Sequence, residues 1–339
     1  MRQSPARQQG VALIVALLLL AIMTLLAVQM TDRLQLNFYR VENQVFNQQA
    51  YWYSQGMEQL AKVAIEQSLA DSDTVNLSQV WATEGQSYPL DNGEVQGNIY
   101  DLQACYNLNA LSGQAPEQDR SQKPFRVRFL QALLEEAGAE SYEAEVAADS
   151  VWEYVDPDET VYSAYGAGDS SYEGFSPAYL PPRNLMADVS EFRAVNGVSA
   201  TMYQQARPLL CALPSTDLLI NVNTIQPAQA ALLVGVFSPE LSLDDARQLI
   251  ENRPYDGWQD VDAFLAEGAV NRLTEAARKQ AKSYLAVKSD FFELDAEVTV
   301  DRARLRILAL LKRDGENKVT VVRRRYGGMS ERVSDDKAE

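Results

Sequence analysis

Twelve carboxylates lie in one stretch of the sequence that contains no basic residue. Between Phe129 and Pro182 there is no lysine or arginine. The acidic residues of this stretch are Glu135, Glu136, Glu140, Glu143, Glu145, Asp149, Glu153, Asp156, Asp158, Glu159, Asp169 and Glu173. Such a run of like charges repels itself in a folded chain unless a positive charge lies within it. The stretch is therefore a candidate cation-binding site.

The densest part of this acidic stretch, residues 152–175, is predicted to be a loop because Pro, Gly and Ser are frequent in it. Loops supply carboxylate and carbonyl oxygens, which are the ligands that a hard cation such as calcium prefers. The segment is not an EF-hand, because the third acidic position and the glycine of that pattern are missing after Asp158. A solvated acidic surface is the alternative, and the residues alone favour it slightly.

The sequence offers few residues for catalysis or for zinc binding. The chain contains no histidine, which removes the usual general base near neutral pH, the Ser–His and Cys–His nucleophile pairs and the commonest zinc ligand. Carboxylate pairs could still act as acid and base, but the sequence singles out no pair for that role. The only cysteines, Cys105 and Cys211, are too few for a disulfide scaffold and wrongly spaced for a zinc site. We therefore expect a protein that is not an enzyme.

Length and charge narrow the possible partners. The 339 residues suffice for one large domain or two ordinary ones. The chain has 30 basic and 47 acidic residues and a net charge of -17, so that its long-range field repels phosphate backbones. Nucleic acid is not an expected partner.

The elements that position these residues start with an apolar block. Val11 to Met30, VALIVALLLLAIMTLLAVQM, is 20 residues long and spans about 30 Å as a helix, the thickness of the hydrocarbon core of a bilayer. Arg2 and Arg7 precede the block, which places the first residues in the cytoplasm by the positive-inside rule. The block is longer than the apolar region of a cleavable secretory signal and lacks a small-x-small site. On hydropathy alone, a plain signal anchor is the favoured interpretation.

A long helix is predicted to continue beyond the membrane block. No proline occurs between Pro5 and Pro89, and Gly56 is the only glycine between Gly10 and Gly85, so that no strong helix breaker interrupts it. An ordinary amphipathic core helix would give the same pattern. One apolar stripe is expected to pack on a sheet, and it consists of Leu34, Phe38, Val41, Val45, Trp52, Leu60 and Val63.

Alternation of apolar and polar residues predicts the strands of that sheet. The first predicted strand is 97–109, and its apolar face is formed by Tyr100, Leu102, Ala104, Tyr106 and Leu108. Three further strands are predicted near the C-terminus, at 291–300, 303–311 and 318–326, with the turn Asp314-Gly315 before the last.

The interval between the first predicted strand and the C-terminal strands is helical in character. Residues 112–287 contain short amphipathic segments separated by Gly, Pro and Asn. The predicted fold class is therefore α+β, with a long N-terminal helix packed on a small antiparallel sheet and a large helical domain inserted after the first strand.

Two segments of the helical interval raise a second functional hypothesis. EFRAVNGVS at 191–199 and INVNT at 220–224 are similar to helix-hairpin-helix units that grip DNA phosphates through backbone amides. The alternative function is that of a membrane-anchored periplasmic DNA-binding or uptake protein. A phosphate binder usually gathers Lys and Arg around the hairpin, whereas Gly197 has only Arg193 and Arg207 near it, together with Glu191, on an acidic protein.

The junction at Gly10 favours a class of membrane protein other than a plain signal anchor. A short basic leader ends in Gly10 and the apolar run begins at Val11, which resembles a prepilin leader. The likeness extends over nearly the whole chain through NLNAL after the first strand, SEFRAVNGV, NVNT after a Leu-Pro pair, and the terminal strands. By these motifs the chain resembles the K family of minor pseudopilins of bacterial type II secretion.

This resemblance implies a processing site and a place in a fibre. In that family a prepilin peptidase cuts after the glycine and methylates the new amine, which here falls between Gly10 and Val11 and leaves a mature net charge of -17 minus 2, or -19. Most pilin-like proteins carry a glutamate at the fifth mature position, thought to pair with the amine of the subunit above, and here that residue is Val15. A subunit with nothing above it needs no such carboxylate, whose charge is costly within a bilayer. A tip position is therefore implied, although a plain anchor would lack the carboxylate as well.

The resemblance also implies partners and a location. The expected partners are the I and J minor pseudopilins, the pseudopilus, the prepilin peptidase and the inner-membrane assembly platform. The protein would cross the inner membrane once, with its C-terminal bulk in the periplasm, and would start or cap a fibre that drives protein export.

A calcium site is implied as well, because the family carries calcium in the acidic region. Asp156, Asp158, Gly166, Ala167, Asp169 and Tyr172 fall on the family's pattern, whereas Gly168 stands where an acidic residue is usual. The expected side-chain ligands are Asp156, Asp158, Glu159 and Asp169, with Glu173 and Asp188 as further candidates.

The two cysteines can form at most one bridge, and the periplasm is oxidising. A bridge between Cys105 and Cys211 would close a loop of 211 minus 105, or 106 residues, which the chain-entropy model values at roughly 4 to 5 kcal/mol. Two buried free thiols are the alternative.

The expected organisation along the chain is as follows. The leader is 1–10, the membrane part of the helix 11–30, the periplasmic helix with the first part of a pilin-like domain 31–111, the inserted helical domain 112–287, the C-terminal strands 288–330, and a polar tail 331–339.

Overall fold

The structure, a computed structural model, describes residues 9–70, 72–116 and 123–327. It consists of a long N-terminal helix, a five-stranded antiparallel sheet and a helical domain that connects the second strand of the sheet to the third. The predicted α+β fold class is confirmed. Most of the predicted leader, residues 1–8, and the predicted polar tail, 331–339, lie outside the described residues.

The α-helices are short except for the first three. Their bounds are α1 Gln9–Ala70, α2 Phe125–Glu136, α3 Ser141–Val155, α4 Asp169–Glu173, α5 Ala200–Ala206, α6 Ala231–Val236, α7 Leu243–Glu251, α8 Val261–Leu265, α9 Gly268–Asn271 and α10 Glu275–Lys282. Short 3-10 helices lie at Val80–Ala82, Leu108–Leu111, Val189–Ala194, Arg207–Leu209 and Pro227–Gln229.

Two separate segments form the main sheet: one follows α1, and the other lies near the C-terminus. Its strands, in spatial order, are β1 Gln86–Leu90, β2 Gly93–Asp101, β7 Phe291–Val300, β8 Ala303–Arg313 and β9 Val319–Tyr326. Two small parallel pairs lie in the helical domain: β3 Tyr106–Asn107 with β4 Leu210–Cys211, and β5 Ile220–Asn221 with β6 Leu285–Ala286. The three C-terminal strands match the predicted ones, because apolar and polar residues alternate along most of their length. In β8 the alternation is interrupted at a register shift between Leu310 and Leu311.

The start of the sheet differs from the prediction. A hairpin strand, β1, precedes β2, so that the helical domain follows the second strand of the sheet and not the first. The strand predicted at 97–109 ends at Asp101, because the Asp101 carboxylate accepts a hydrogen bond from the backbone N–H of Gln103 and the chain turns there. The predicted face is confirmed only in part: Ala104, Tyr106 and Leu108 are buried, but Tyr100 is exposed, and Asp101, predicted on the opposite face, is buried.

Helix α1 packs on the sheet through a face that the sequence analysis missed. The buried side chains of its C-terminal half are Ala50, Ser54, Met57, Glu58, Ala61, Ile65 and Leu69. Glu58 is buried there because it pairs with Arg324 of β9, with Arg324 Nε 2.5 Å from Glu58 Oε2. The predicted stripe from Leu34 to Val63 lies on roughly the opposite side of the helix at 100° per residue. Every member of that stripe is exposed, from Leu60 at 41% to Phe38 at 69%.

The helical domain has a core of its own. Its largest fully buried side chains are Tyr106, Leu108, Leu111, Phe129, Leu130, Trp152, Tyr172, Phe192, Phe237 and Phe264. Helix α3 packs against α2, and it includes residues 152–155, which the sequence analysis assigned to a loop. The loop prediction holds only from Asp156 onward, and even there α4 interrupts it.

Candidate assembly and cation-binding sites

The N-terminal part of α1 is apolar and exposed in the part of the chain that the structure describes. An 18-residue window within Gly10–Ala70 has a mean hydropathy of 3.1 and no buried residue, so that α1 is long and apolar enough to cross a membrane. Gly10 lies at the start of this helix, and Val15 lies in its apolar part, exposed. The N-terminal part of the helix is therefore suited to a membrane. The exposed stripe from Leu34 to Val63 forms a second apolar surface beyond it.

A row of carboxylates runs along α3 and its C-cap. Glu145, Asp149, Glu153 and Asp156 are spaced by four, four and three residues, so that they lie on one side of the helix. Lys123 Nζ lies 2.7 Å from Glu145 Oε1 and 2.8 Å from Asp149 Oδ1. Glu153 and Asp156 are buried, and among the residues that the structure describes neither forms an ion pair with a lysine or arginine. Burial raises the pKa of the Glu153 carboxyl, and the nearby Asp156 charge raises it further.

The loop after α3 is organised around these carboxylates. Glu153 Oε1 accepts hydrogen bonds from the backbone N–H groups of Tyr162, at 2.8 Å, and Ser163, at 3.1 Å. A Cβ on Gly166 would lie 2.6 Å from Glu153 Cγ, so that this position must be glycine for the loop to close over Glu153. The Asp158 carboxylate accepts hydrogen bonds from Thr160 and Tyr162, and these bonds, led by the one from the Thr160 N–H, lower its pKa.

The six ligands predicted from the sequence do not all meet. Asp156 and Asp158 belong to the ordered loop, and Asp169 pairs with Arg183. Asp188 caps the 3-10 helix Val189–Ala194, and its carboxylate lies 2.7 Å from Arg325 Nη1 of β9. Glu159 and Glu173 are exposed. Within the described ranges, no three carboxylates or thiols lie close enough together to hold a metal ion as they stand.

Two buried carboxylates of α3 were not predicted as candidate ligands. Asp149 and Glu153 belong to a helix whose buried face includes Ala144, Ala147 and Ala148. Small residues give a weak apolar signal, which hid the helix. The spacing of 149, 153 and 156 could have revealed that these carboxylates share a face.

The two cysteines are bridged in the structure, with their Cα atoms 5.8 Å apart. Cys105 and Cys211 pack with Leu213 of the helical domain and with Phe291 and Leu310 of the sheet. The bridge thus lies where the helical domain meets the sheet.

The asparagine motifs hold loops together. In NLNAL, the Asn107 side chain donates to the carbonyls of Ser215 and Asp217, and Asn109 donates to those of Met186 and Leu213. In NVNT, Asn223 donates to the carbonyl of Trp258. These side chains satisfy backbone groups that would otherwise be buried without partners.

A buried aspartate connects the sheet to the NVNT segment. Asp101 Oδ2 accepts hydrogen bonds from Thr224 Oγ1 at 2.6 Å, Asn221 Nδ2 at 3.1 Å and Ser289 Oγ at 2.5 Å. Burial raises the pKa of the Asp101 carboxyl. The network joins the last residue of β2 to the helical domain and to the approach to β7.

The hairpin segment around Gly197 contains a sharp turn. Gly197 has φ +83° and its α-carbon faces Val146 of α3, where a Cβ would lie 2.7 Å from Cγ1. Ser199 Oγ accepts a hydrogen bond from the Met202 N–H and caps α5. Arg193 lies over the ring of Tyr203. The hairpin is therefore packed against the acidic helix α3, in surroundings that disfavour phosphate.

Two matches to family models cover most of the helical domain. Both are described as type II secretion system protein K, and they match residues 104–215 and 220–288, more than half of the chain together. The chain belongs to the type II secretion system protein K family.

Relatives of known name support the same family over nearly the full length. Protein K of Aeromonas hydrophila is 38% identical over 327 residues, which are 95% of this chain and 98% of the relative. Protein K of Klebsiella pneumoniae is 38% identical over 322 residues, 95% of this chain and 97% of the relative. As a protein K, the chain is a minor pseudopilin of type II secretion, and the DNA-binding hypothesis receives no support.

A solved structure shares the fold. A chain in the crystal structure of the GspK-GspI-GspJ complex from the type 2 secretion system of enterotoxigenic Escherichia coli matches with a TM-score of 0.78 and 37% identity. The match covers 85% of this chain and 99% of that chain. The first family match begins beside Cys105, and the second begins at β5, which opens the NVNT segment.

Proposed function

We propose that this minor pseudopilin forms the tip of the periplasmic pseudopilus or primes its assembly. The observation that carries the proposal is α1, which runs without interruption from Gln9 to Ala70 and leaves apolar residues exposed along both its N-terminal part and the stripe. A helical domain of this size above the sheet would hinder the stacking of further subunits on top. Val15, at the fifth mature position, supplies no carboxylate to pair with a subunit above.

Processing is the second part of the proposal. A prepilin peptidase cuts between Gly10 and Val11 and methylates the new amine, and the mature chain crosses the inner membrane once with its bulk in the periplasm. The exposed, apolar start of α1 supports this, because such a helix is stable in a bilayer or packed among similar helices.

The I and J minor pseudopilins are the proposed partners. Support comes from the GspK-GspI-GspJ complex that contains a similar chain, and from the exposed stripe of this chain. An apolar stripe at helical spacing is the surface that a partner helix packs against, through interlocking side chains. The assembly platform of the inner membrane would receive the membrane half of α1.

Polar substitutions in the stripe are expected to weaken assembly without unfolding the protein. Leu60 and Val63 are 41% and 45% exposed, so that Leu60→Lys together with Val63→Lys costs little folding free energy but places two charges in a helix interface. We expect co-purification of the I and J pseudopilins with the full chain to fall at least about tenfold, equivalent to about 1.4 kcal/mol.

The matched control for the stripe is Tyr255→Lys, which charges the most exposed of the large apolar side chains at a position away from α1. The control should keep the partners at the wild-type level. Equal recovery of I and J with the Leu60 and Val63 variant would rule out the stripe as their binding surface.

We also propose that the acidic loop binds calcium. Glu153 and Asp156 are buried carboxylates that lack a basic partner within the described part of the chain, and the loop around them is rich in oxygen atoms. Carboxylate and carbonyl oxygens are the donors that a hard cation prefers, and the ion would supply positive charge while it draws together side chains that lie too far apart to hold it as they stand. The proposed ligands are Glu153, Asp156, Asp158, Glu159 and Asp169. Asp188 is set aside because it pairs with Arg325, and Glu173 stays a further candidate.

Removal of calcium is expected to lower the melting temperature of the full chain in detergent by several degrees, because a ligand bound only to the folded state stabilises it. Glu153→Gln should abolish this response to a chelator, since glutamine keeps the acceptor for the Tyr162 and Ser163 N–H groups but loses the charge. Glu143→Gln, at an exposed acidic position of the same helix, is the control and should respond like the wild type. An unchanged melting temperature on chelation of the wild type would refute the calcium site.

A further inference from the structure

Arg183 places a positive charge inside the acidic loop. Its Nη2 lies 2.5 Å from Asp169 Oδ1, and its Nη1 donates to the backbone carbonyl of Asp158 at 2.5 Å. The side chain is mostly buried, with 20% of its surface exposed. The guanidinium therefore joins the start of the loop to the first turn of α4.

Arg183 is also the first basic residue after the long acidic stretch. No lysine or arginine occurs between Phe129 and Pro182, and Lys123 reaches only the other end of the carboxylate row, at Glu145 and Asp149. Arg183 thus supplies the positive charge at the Asp158 and Asp169 end of the loop.

The atoms that Arg183 contacts are of the type that calcium uses. One is a carboxylate oxygen and the other a backbone carbonyl oxygen, and both are common calcium ligands. A planar guanidinium can bond two such oxygens at once with its forked N–H groups. A metal ion and this side chain cannot both occupy the space between the two oxygens.

The backbone of Arg183 is held in an unfavourable conformation. Its φ of +49° lies in the left-handed region, which residues other than glycine adopt uncommonly. The contacts with Asp158 and Asp169 help to hold this conformation, and losing them would let the backbone relax.

We propose that Arg183 is the resident cation of the acidic loop and competes with calcium for Asp169 and the Asp158 carbonyl. The inference rests on the proposed calcium site. It predicts that the calcium affinity of this chain is lower than its carboxylates alone would give.

The test is a calorimetric titration of the full chain in detergent with calcium chloride. Arg183→Gln should bind calcium about three- to tenfold more tightly than the wild type, because the competitor is gone. Arg183→Lys keeps the charge but lacks the forked guanidinium, so its calcium affinity should lie between those of the wild type and Arg183→Gln. Arg193→Gln makes the same change in net charge in the same domain, where Arg193 lies over Tyr203, and should match the wild type.

The outcomes separate this inference from the proposal on which it rests. If the wild type binds calcium and Arg183→Gln binds it equally well or more weakly, the competition is refuted while the calcium site stands. If Arg193→Gln gains as much affinity as Arg183→Gln, the effect is one of net charge and the competition is again refuted. If neither the wild type nor any variant binds calcium, both proposals fail. Should Arg183→Gln not fold, an unchanged affinity in Arg183→Lys would overturn the inference.

Discussion

Replacing Cys105 and Cys211 together by serine is expected to lower the free energy of unfolding by about 4 to 5 kcal/mol. The bridge joins residues 106 positions apart in sequence, and a loop of that length restricts the unfolded chain strongly. It also lies among Leu213, Phe291 and Leu310, where the helical domain meets the sheet. The midpoint of denaturant unfolding in detergent measures the loss.

Reduction of the wild-type protein provides the control, because it breaks the bridge without changing a side chain. A reducing agent should lower the stability of the wild type to nearly that of the double variant and should leave the double variant unchanged. A loss below about 1 kcal/mol in both experiments would show that the bridge adds little to folding.

Replacing Asp101 by alanine is expected to cost about 3 kcal/mol or more. The carboxylate accepts hydrogen bonds from Thr224, Asn221 and Ser289, all of them buried. Its removal takes the acceptor from the Ser289 hydroxyl and from the backbone N–H of Gln103, whereas Thr224 and Asn221 keep the carbonyls of Asn221 and Val75. Each unsatisfied buried group costs about 1 to 3 kcal/mol unless the site relaxes. Because the network joins β2 to the helical domain, the loss should appear as a lower unfolding midpoint of the whole molecule.

Asp290→Ala is the matched control for Asp101. Asp290 lies just before β7 and pairs with Arg313 at 2.6 Å, but half of its side chain is exposed. Because the Asp290 carboxylate is half exposed, we expect the loss of this pair with the less exposed Arg313 to cost about 1 kcal/mol, less than the loss of Asp101. Equal losses for the two alanine variants would mean that the buried network has no special role at the junction.

The C-terminal strands could be predicted from sequence, whereas the packing face of the long helix could not. In β7 the alternation places Phe292, Leu294 and Ala296 on one side, and these residues are buried. In α1 the most apolar stripe faces away from the sheet. The face that packs on the sheet mixes small residues with Met57, Ile65 and Leu69. It also includes Glu58, whose charge is neutralised by Arg324, 266 residues away in sequence. An ion pair between residues so far apart in sequence leaves no local pattern from which it could be predicted.

The candidate cation site was predicted in part. Composition alone locates the acidic stretch, and the structure orders a loop within it around Asp156 and Asp158. The contribution of Glu153 was missed because residues 152–175 were predicted to be a loop, whereas α3 extends to Val155. The role of Arg183 was missed because its contacts span 14 and 25 residues. Likewise, the asparagines of NLNAL and NVNT can be recognised as motifs, but their partners, such as Met186 and Trp258, are set by the tertiary fold.

The central claim is that this chain becomes a processed pseudopilin whose apolar helix begins at its mature N-terminus. Intact-mass spectrometry of the protein extracted from membranes tests it most directly. We predict a chain that starts at Val11, carries one additional methyl group and lacks Arg2 and Arg7. A mature chain that keeps Met1 and the rest of the leader would contradict the account and would leave a plain membrane anchor in its place.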